Sequence, residues 1–118
     1  MTAWVLVCNI NDLTELKFKI FEIKNMSIGL IKMNKQVKAI LNYCPHAGAE
    51  ICKGLVRQAT IANTEFQIDY DTKKLVISCP WHGWEFDLTD GEPVFDGKCK
   101  PLRTFNVKIR DSSVYLRV

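Results

Sequence analysis

Histidine is nearly missing from this 118-residue chain: there are two, His46 and His82. Other absences narrow the field further. No apolar run approaches the ~18 residues of a membrane-crossing helix, so no membrane partner is expected. The start, "MTAWVLVCNI", has no basic leader, and its apolar run is shorter than the ~7–15 residues of a secretion signal. A cytoplasmic location is the expectation. The five cysteines are an odd number. In a reducing compartment they do not read as a disulfide framework. Lysine and arginine form no clustered stripe and the net charge is only +3, which argues against a nucleic-acid partner. There is no Gly-x-Gly-x-x-Gly, so the chain carries no fingerprint of a flavin or nicotinamide site and should not be its own reductase. No segment has the apolar period of a helix of ordinary length.

What is present is a succession of short alternating runs split by turn residues. Residues 3–8, 17–24, 27–33 and 37–43 read as strands, with "NKQ" a hairpin turn between the last two. Val37, Ala39, Leu41 and Tyr43 share one face. Asp12 and Glu15 have the spacing of a capping box, allowing one helical turn. The apolar phase slips at Phe21, which suggests a bulge. Farther on, Phe66, Ile68 and Tyr70 alternate, "DTKK" at 71–74 is turn-like, and "LVIS" runs into Cys79. Asp90-Gly91 marks a turn between "WEFDL" and "PVFD". Phe105, Val107 and Ile109 share a face, as do Val114, Leu116 and Val118. Eight to eleven short strands imply an all-β chain, a small antiparallel sandwich or barrel. Residues 1–118 read as one domain, without repeats or linkers.

Both histidines lie close after a cysteine, in proline-bearing loops between strands. "YCPHAGAE" holds Cys44 and His46; "SCPWHGWEFD" holds Cys79 and His82. Pro45 and Pro80 stiffen these loops. Gly48 and Gly83 let backbone amides approach a ligand. An isolated buried Cys or His is usually core filling, but two Cys-His pairs in two loops indicate a metal site. A structural zinc site tolerates two thiolates and two imidazoles, although it usually groups Cys with Cys and His with His. Here each loop supplies one of each, which suits a two-iron cluster with two Cys on one iron and two His on the other.

"CPHAGAE" and "CPWHGWEFDLTDGEPV" closely resemble the cluster loops of Rieske ferredoxins and of the Rieske domains of ring-hydroxylating oxygenases, and the likeness extends over nearly the whole chain. The resemblance implies a [2Fe-2S] cluster in a cluster-binding subdomain of two loops. It places Cys44 and Cys79 on one iron and His46 and His82 on the other, near the surface. It puts Gly48, Gly83 and Trp84 around the cluster, and makes Pro101, in "GKCKPLR", the counterpart of the family's third, proline-bearing loop. In high-potential relatives each cluster loop carries an extra cysteine and the second supplies hydroxyl donors. Here Ala49 and Trp81 replace the cysteines, and Trp84 and Phe86 the hydroxyls. A potential in the lower part of the roughly −150 to +300 mV Rieske range is therefore expected.

One departure stands out. Residues 47–78, thirty-two of them, separate His46 from Cys79, about twice the family's usual spacing. The excess, 55–74, is expected to be an added hairpin that widens the sheet or meets a partner. Cys8, Cys52 and Cys99 read as small core residues, Trp81 and Trp84 as apolar cover, and Asp87, Asp90 and Glu92 as solvating a hairpin.

The expected function is one-electron transfer from a flavin-dependent or iron–sulfur reductase to a terminal oxygenase. The chain is not expected to be the oxygenase. A mononuclear iron needs two further histidines and a carboxylate, and both histidines are committed. The alternatives are the small Rieske subunit of an assimilatory nitrite reductase-like enzyme, or a structural zinc module.

Overall fold

In the structure, a computed structural model, the alternating runs become ten strands in three antiparallel sheets among the described residues. The residues described are 3–33, 36–45, 48–62, 68–80, 84–94 and 100–118, with side chains omitted for 58–62 and 68–74. The strands are β1 (Trp4–Asn9), β2 (Lys19–Ile23), β3 (Met26–Met33), β4 (Gln36–Leu41), β5 (Leu55–Ala62), β6 (Ile68–Ser78), β7 (Glu85–Asp87), β8 (Thr104–Phe105), β9 (Val107–Arg110) and β10 (Ser113–Arg117). They pair as β1-β10-β9, β2-β3-β4-β8 and β5-β6-β7. Among the described residues no helix is long and apolar enough to cross a membrane.

The four-stranded sheet lies between two cores. On β3, Ile28 and Leu30 join one core, with Val114 and Leu116 of the first sheet and Val118 just past it; Ile31 joins the other, with Leu75, Ile77 and Phe86 of the third. On β4, Val37 and Ala39 go to the first core and Ile40 to the second. A sheet covered on both faces needs continuous apolar runs rather than strict alternation, which is why "SIGLI" and "VKAIL" look blurred in period.

Several sequence expectations are corrected here. The helical turn comes earlier than the Asp12–Glu15 spacing suggests. Ile10–Asp12 is a 3-10 turn capped by Asn9, whose side chain accepts from Asn11 N–H at 2.9 Å while Asp12 accepts from Asn9 N–H at 3.1 Å. There is no bulge at Phe21: β2 pairs with β3 without a break, Phe21 and Ile23 turn inward, and Ile20 stays exposed. The irregularities fall instead between Leu6 and Cys8 and between Thr60 and Ala62. Tyr43 lies past the end of β4 and is exposed rather than sharing its buried face.

Residues 71–74 form no turn. β6 runs unbroken through them, with Lys73 opposite Thr60 and Lys74 opposite Ala59. The 104–110 run is split at Asn106, so that Phe105 pairs in the four-stranded sheet and Val107 starts a strand of the first. Ile109 is consequently exposed at a sheet margin. The expected hairpin at 55–74 comprises all of β5 and the first part of β6, and only its portion past Arg57 extends beyond β7. That portion is two-stranded, because β7 pairs only with Val76–Ser78. Phe66 lies outside the described residues, as does the hairpin tip at 63–67.

Candidate metal centre

The first loop leaves β4 at Leu41. Asn42, nearly buried, fastens it: its backbone N–H donates to Ser27 O at 2.8 Å, and its side-chain amide lies 3.3 Å from Ser27 Oγ. Its Oδ1 accepts from Cys52 N–H at 3.0 Å, tying down the far end of the loop at the 3-10 turn Ile51–Lys53. Between these anchors the loop folds on itself. Gly48 N–H donates to Cys44 O at 2.7 Å, and Cys44 N–H to Ala49 O at 2.8 Å. This tight return needs a left-handed residue, supplied by Gly48 at φ +72. The Tyr43 ring covers it, 3.6 Å from where a side chain would begin.

The second loop leaves β6 at Ser78 and re-enters at β7. Cys79 N–H donates to Trp84 O at 2.7 Å, and the next pair, Ser78 and Glu85, stand opposite each other in the ladder. Gly54 allows β5 to start flush against this neck; a methyl there would overlap Ser78 O. Beyond β7 the chain turns at 88–91. Thr89 N–H donates to Asp87 Oδ1 at 2.7 Å and Glu92 N–H to Asp90 Oδ1 at 2.9 Å. Asp90 and Glu92 are exposed as expected, but Asp87 is buried and shapes the turn from within.

Both loop cysteines enter the same core. Cys44 is 0% exposed and Cys79 is 2% exposed, packed in a cluster with Ile31, Ile40, Ala49, Ile51, Ile77 and Phe86. Two buried thiols in turns closed by their own backbone fit the sulfur half of an iron–sulfur ligand set. Trp84 is half-buried against this core and its carbonyl closes the second loop. His46, Trp81, His82 and Gly83 lie outside the described residues, as does Cys99. Pro101 is exposed, and Leu102 after it is buried in the same core, its N–H donating to Gly91 O at 2.7 Å. Ala49 and Phe86 are also buried there.

Two features escaped sequence reading. The first is Asn42, whose role depends on strands distant in sequence. The second is an ion pair at the neck of the second loop. Arg57 Nε and Nη2 both lie 2.7 Å from Glu85 Oε2, and Ser78 Oγ is 3.4 Å from the same oxygen. The Arg57 hydrogen bond holds the Glu85 carboxyl below its ordinary range, against the opposing effect of burial, and Glu85 raises Arg57. The remaining described cysteines, Cys8 and Cys52, are half-buried and free. Cys52 and Phe18 both pack against Gly29. Burial, and then the Glu50 carboxylate, push its thiol up to about 12.

Comparison with known proteins agrees with this architecture. Human apoptosis-inducing factor 3 is 28% identical over 111 residues, covering 94% of this chain and 16% of that protein. The chain thus spans about a sixth of the first curated relatives it matches. Ferredoxin CarAc of Metapseudomonas resinovorans is 24% identical over 114 residues, covering 96% of this chain and 92% of the relative. Among solved structures, a chain of the complex of reduced oxygenase and oxidized ferredoxin in carbazole 1,9a-dioxygenase superposes with a TM-score of 0.70 at 23% identity, over 97% of this chain and 92% of that one. A Mycobacterium tuberculosis protein described as an NADH-dependent nitrite reductase small subunit superposes with a TM-score of 0.76 at 15% identity, over 100% and 96%. At these identities the two structures establish the fold. The Rieske [2Fe-2S] domain family matches residues 3–106, nearly the whole length, and the chain belongs to that family.

Proposed function

We propose that this chain is a one-electron carrier whose [2Fe-2S] cluster is held by Cys44 and Cys79 on one iron and by His46 and His82 on the other. The observation that carries the assignment is the burial of Cys44 and Cys79 in one core, each in a backbone-closed turn at a strand end. When bound, the cluster supplies reversible one-electron exchange. The chain's own residues fix the ligands and keep water away from them. Asn42 and the Gly48 turn hold the first loop. The Cys79–Trp84 hydrogen bond holds the second, and Ile40, Ile77 and Phe86 form the dry floor. Gly83 and Trp84 border the second loop, and Pro101 belongs to the third covering loop.

The chain serves as a non-catalytic component. It accepts electrons from a flavin-dependent or iron–sulfur reductase and passes them to a terminal oxygenase, in the cytoplasm. A ferredoxin relative of nearly equal length and the fold shared with an oxygenase-bound ferredoxin support this reading. The fold shared with a nitrite reductase small subunit supports a second, in which the chain is the Rieske subunit of such an enzyme. Coulometric titration of the purified chain tests the carrier role: one electron per chain is expected. Uptake of none, or of two, contradicts it. Stable co-purification with a large sirohaem-bearing subunit favours the second reading.

A further inference from the structure

The ion pair at the neck of the second loop carries a further inference, which rests on Cys79 being a ligand. Arg57 stands on β5 and Glu85 on β7, with β6 between them. Ser78 faces Leu55 on one side and Glu85 on the other, while Arg57 is opposite Val76. The Arg57 side chain therefore reaches diagonally over β6, and two of its nitrogens converge on one oxygen of Glu85. Ser78 approaches that same oxygen. The residue after Ser78 is Cys79 and the residue before Glu85 is Trp84, and these two are joined by the hydrogen bond that closes the loop. The charged pair thus sits directly beneath the loop, on the sheet face opposite Ile77 and Phe86.

We propose that Arg57 is a positioning and charge-balancing residue for the cluster: it fixes Glu85 at the loop neck and offsets its charge, so the pair, not either member, sets the local field. A carboxylate near a redox centre favours the oxidised form and lowers the potential; a guanidinium does the reverse. Net charge is one of the protein's levers on such a centre. The side chains are 51% and 31% exposed, so the field of either alone is open to screening by salt. Arg57 stands on the part of β5 that faces Val76, within reach of β7, so β5 supplies the second loop with a cation from across the sheet.

The test uses the cluster-loaded full chain and four variants: Arg57→Gln, Glu85→Gln, the double variant and Arg57→Lys. Potentials are measured by redox titration at low and high ionic strength, with visible and paramagnetic resonance spectra of each. Arg57→Gln lowers the potential and Glu85→Gln raises it. The double variant returns close to wild type, and Arg57→Lys stays near it. Both single shifts shrink at high salt. Singles that leave the potential unchanged overturn the proposal. So do singles that shift it in the same direction with altered spectra, the mark of a loosened loop. If Arg57→Gln fails to retain its cluster, the Glu85→Gln and Arg57→Lys potentials decide the sign. A wild-type chain that holds no cluster fails at the ligand assignment instead, which separates the two claims.

Discussion

At the residue scale, reactivity divides the cysteines. Cys52 has its thiol pushed from 9.0 up to about 12, so its thiolate fraction at pH 8 falls by about a thousandfold. Alkylation of the folded protein at pH 8 should leave Cys52 unmodified while denatured protein reacts at once; mass spectrometry of the labelled peptide reads the difference. The same shift has a stability sign. Because the folded value is raised, the contribution is complete below the unfolded value of 9.0 and is lost as pH rises toward about 12. Glu85 runs the other way. Its folded value is depressed below 4.5, so its contribution is present above that value and is lost as pH falls through the folded one. The Glu85→Gln variant should therefore show a shallower acid limb in its unfolding curve than wild type. Much of the candidate site is legible at this scale. Cys44 and Cys79 stand in the sequence as members of paired motifs, and their burial follows from the strands on either side. Asn42, Arg57 and Ser78 are not legible, because each acts on a partner brought near only by strand pairing.

At the element scale, β5 and β6 go on pairing beyond β7 as a two-stranded ribbon, with Ala59 opposite Lys74 and Thr60 opposite Lys73. Joining Ala59 to Lys74 through Asn-Gly in place of 60–73 leaves Arg57, Ser78 and the core residues named above intact, with a turn suited to a two-residue hairpin. That variant should fold and keep the wild-type visible spectrum; a chain that no longer folds would show that the ribbon is structural. The opposite outcome is expected for Phe86, 0% exposed between the loop neck and the core. Phe86→Ala should cost about 3–5 kcal/mol, read as a drop in the urea midpoint of the cluster-loaded chain. Element positions were largely readable from alternation and turn residues. Where reading failed, one physical cause recurs. The "DTKK" lysines sit in a strand because pairing with β5 outweighs local turn preference, and the 104–110 run breaks because two sheets compete for it.

At the scale of the whole molecule, the three sheets and two cores of the described residues give a base and a layer that holds both cysteine loops. The middle sheet connects them through Ile31 and Ile40. That division is not visible from alternation alone, since a strand buried on both faces and a short apolar run look alike. What the fold accomplishes is to bring two loops, thirty-odd residues apart in sequence, to the same dry floor. Iron, sulfide and zinc analysis of the purified chain, together with paramagnetic resonance of its dithionite-reduced form, tests this most directly. The account predicts a red-brown protein with two irons and two sulfides per chain and a rhombic signal on one-electron reduction, lost in Cys44→Ser, Cys79→Ser, His46→Ala and His82→Ala alike. A colourless protein with one zinc per chain and no signal would contradict it.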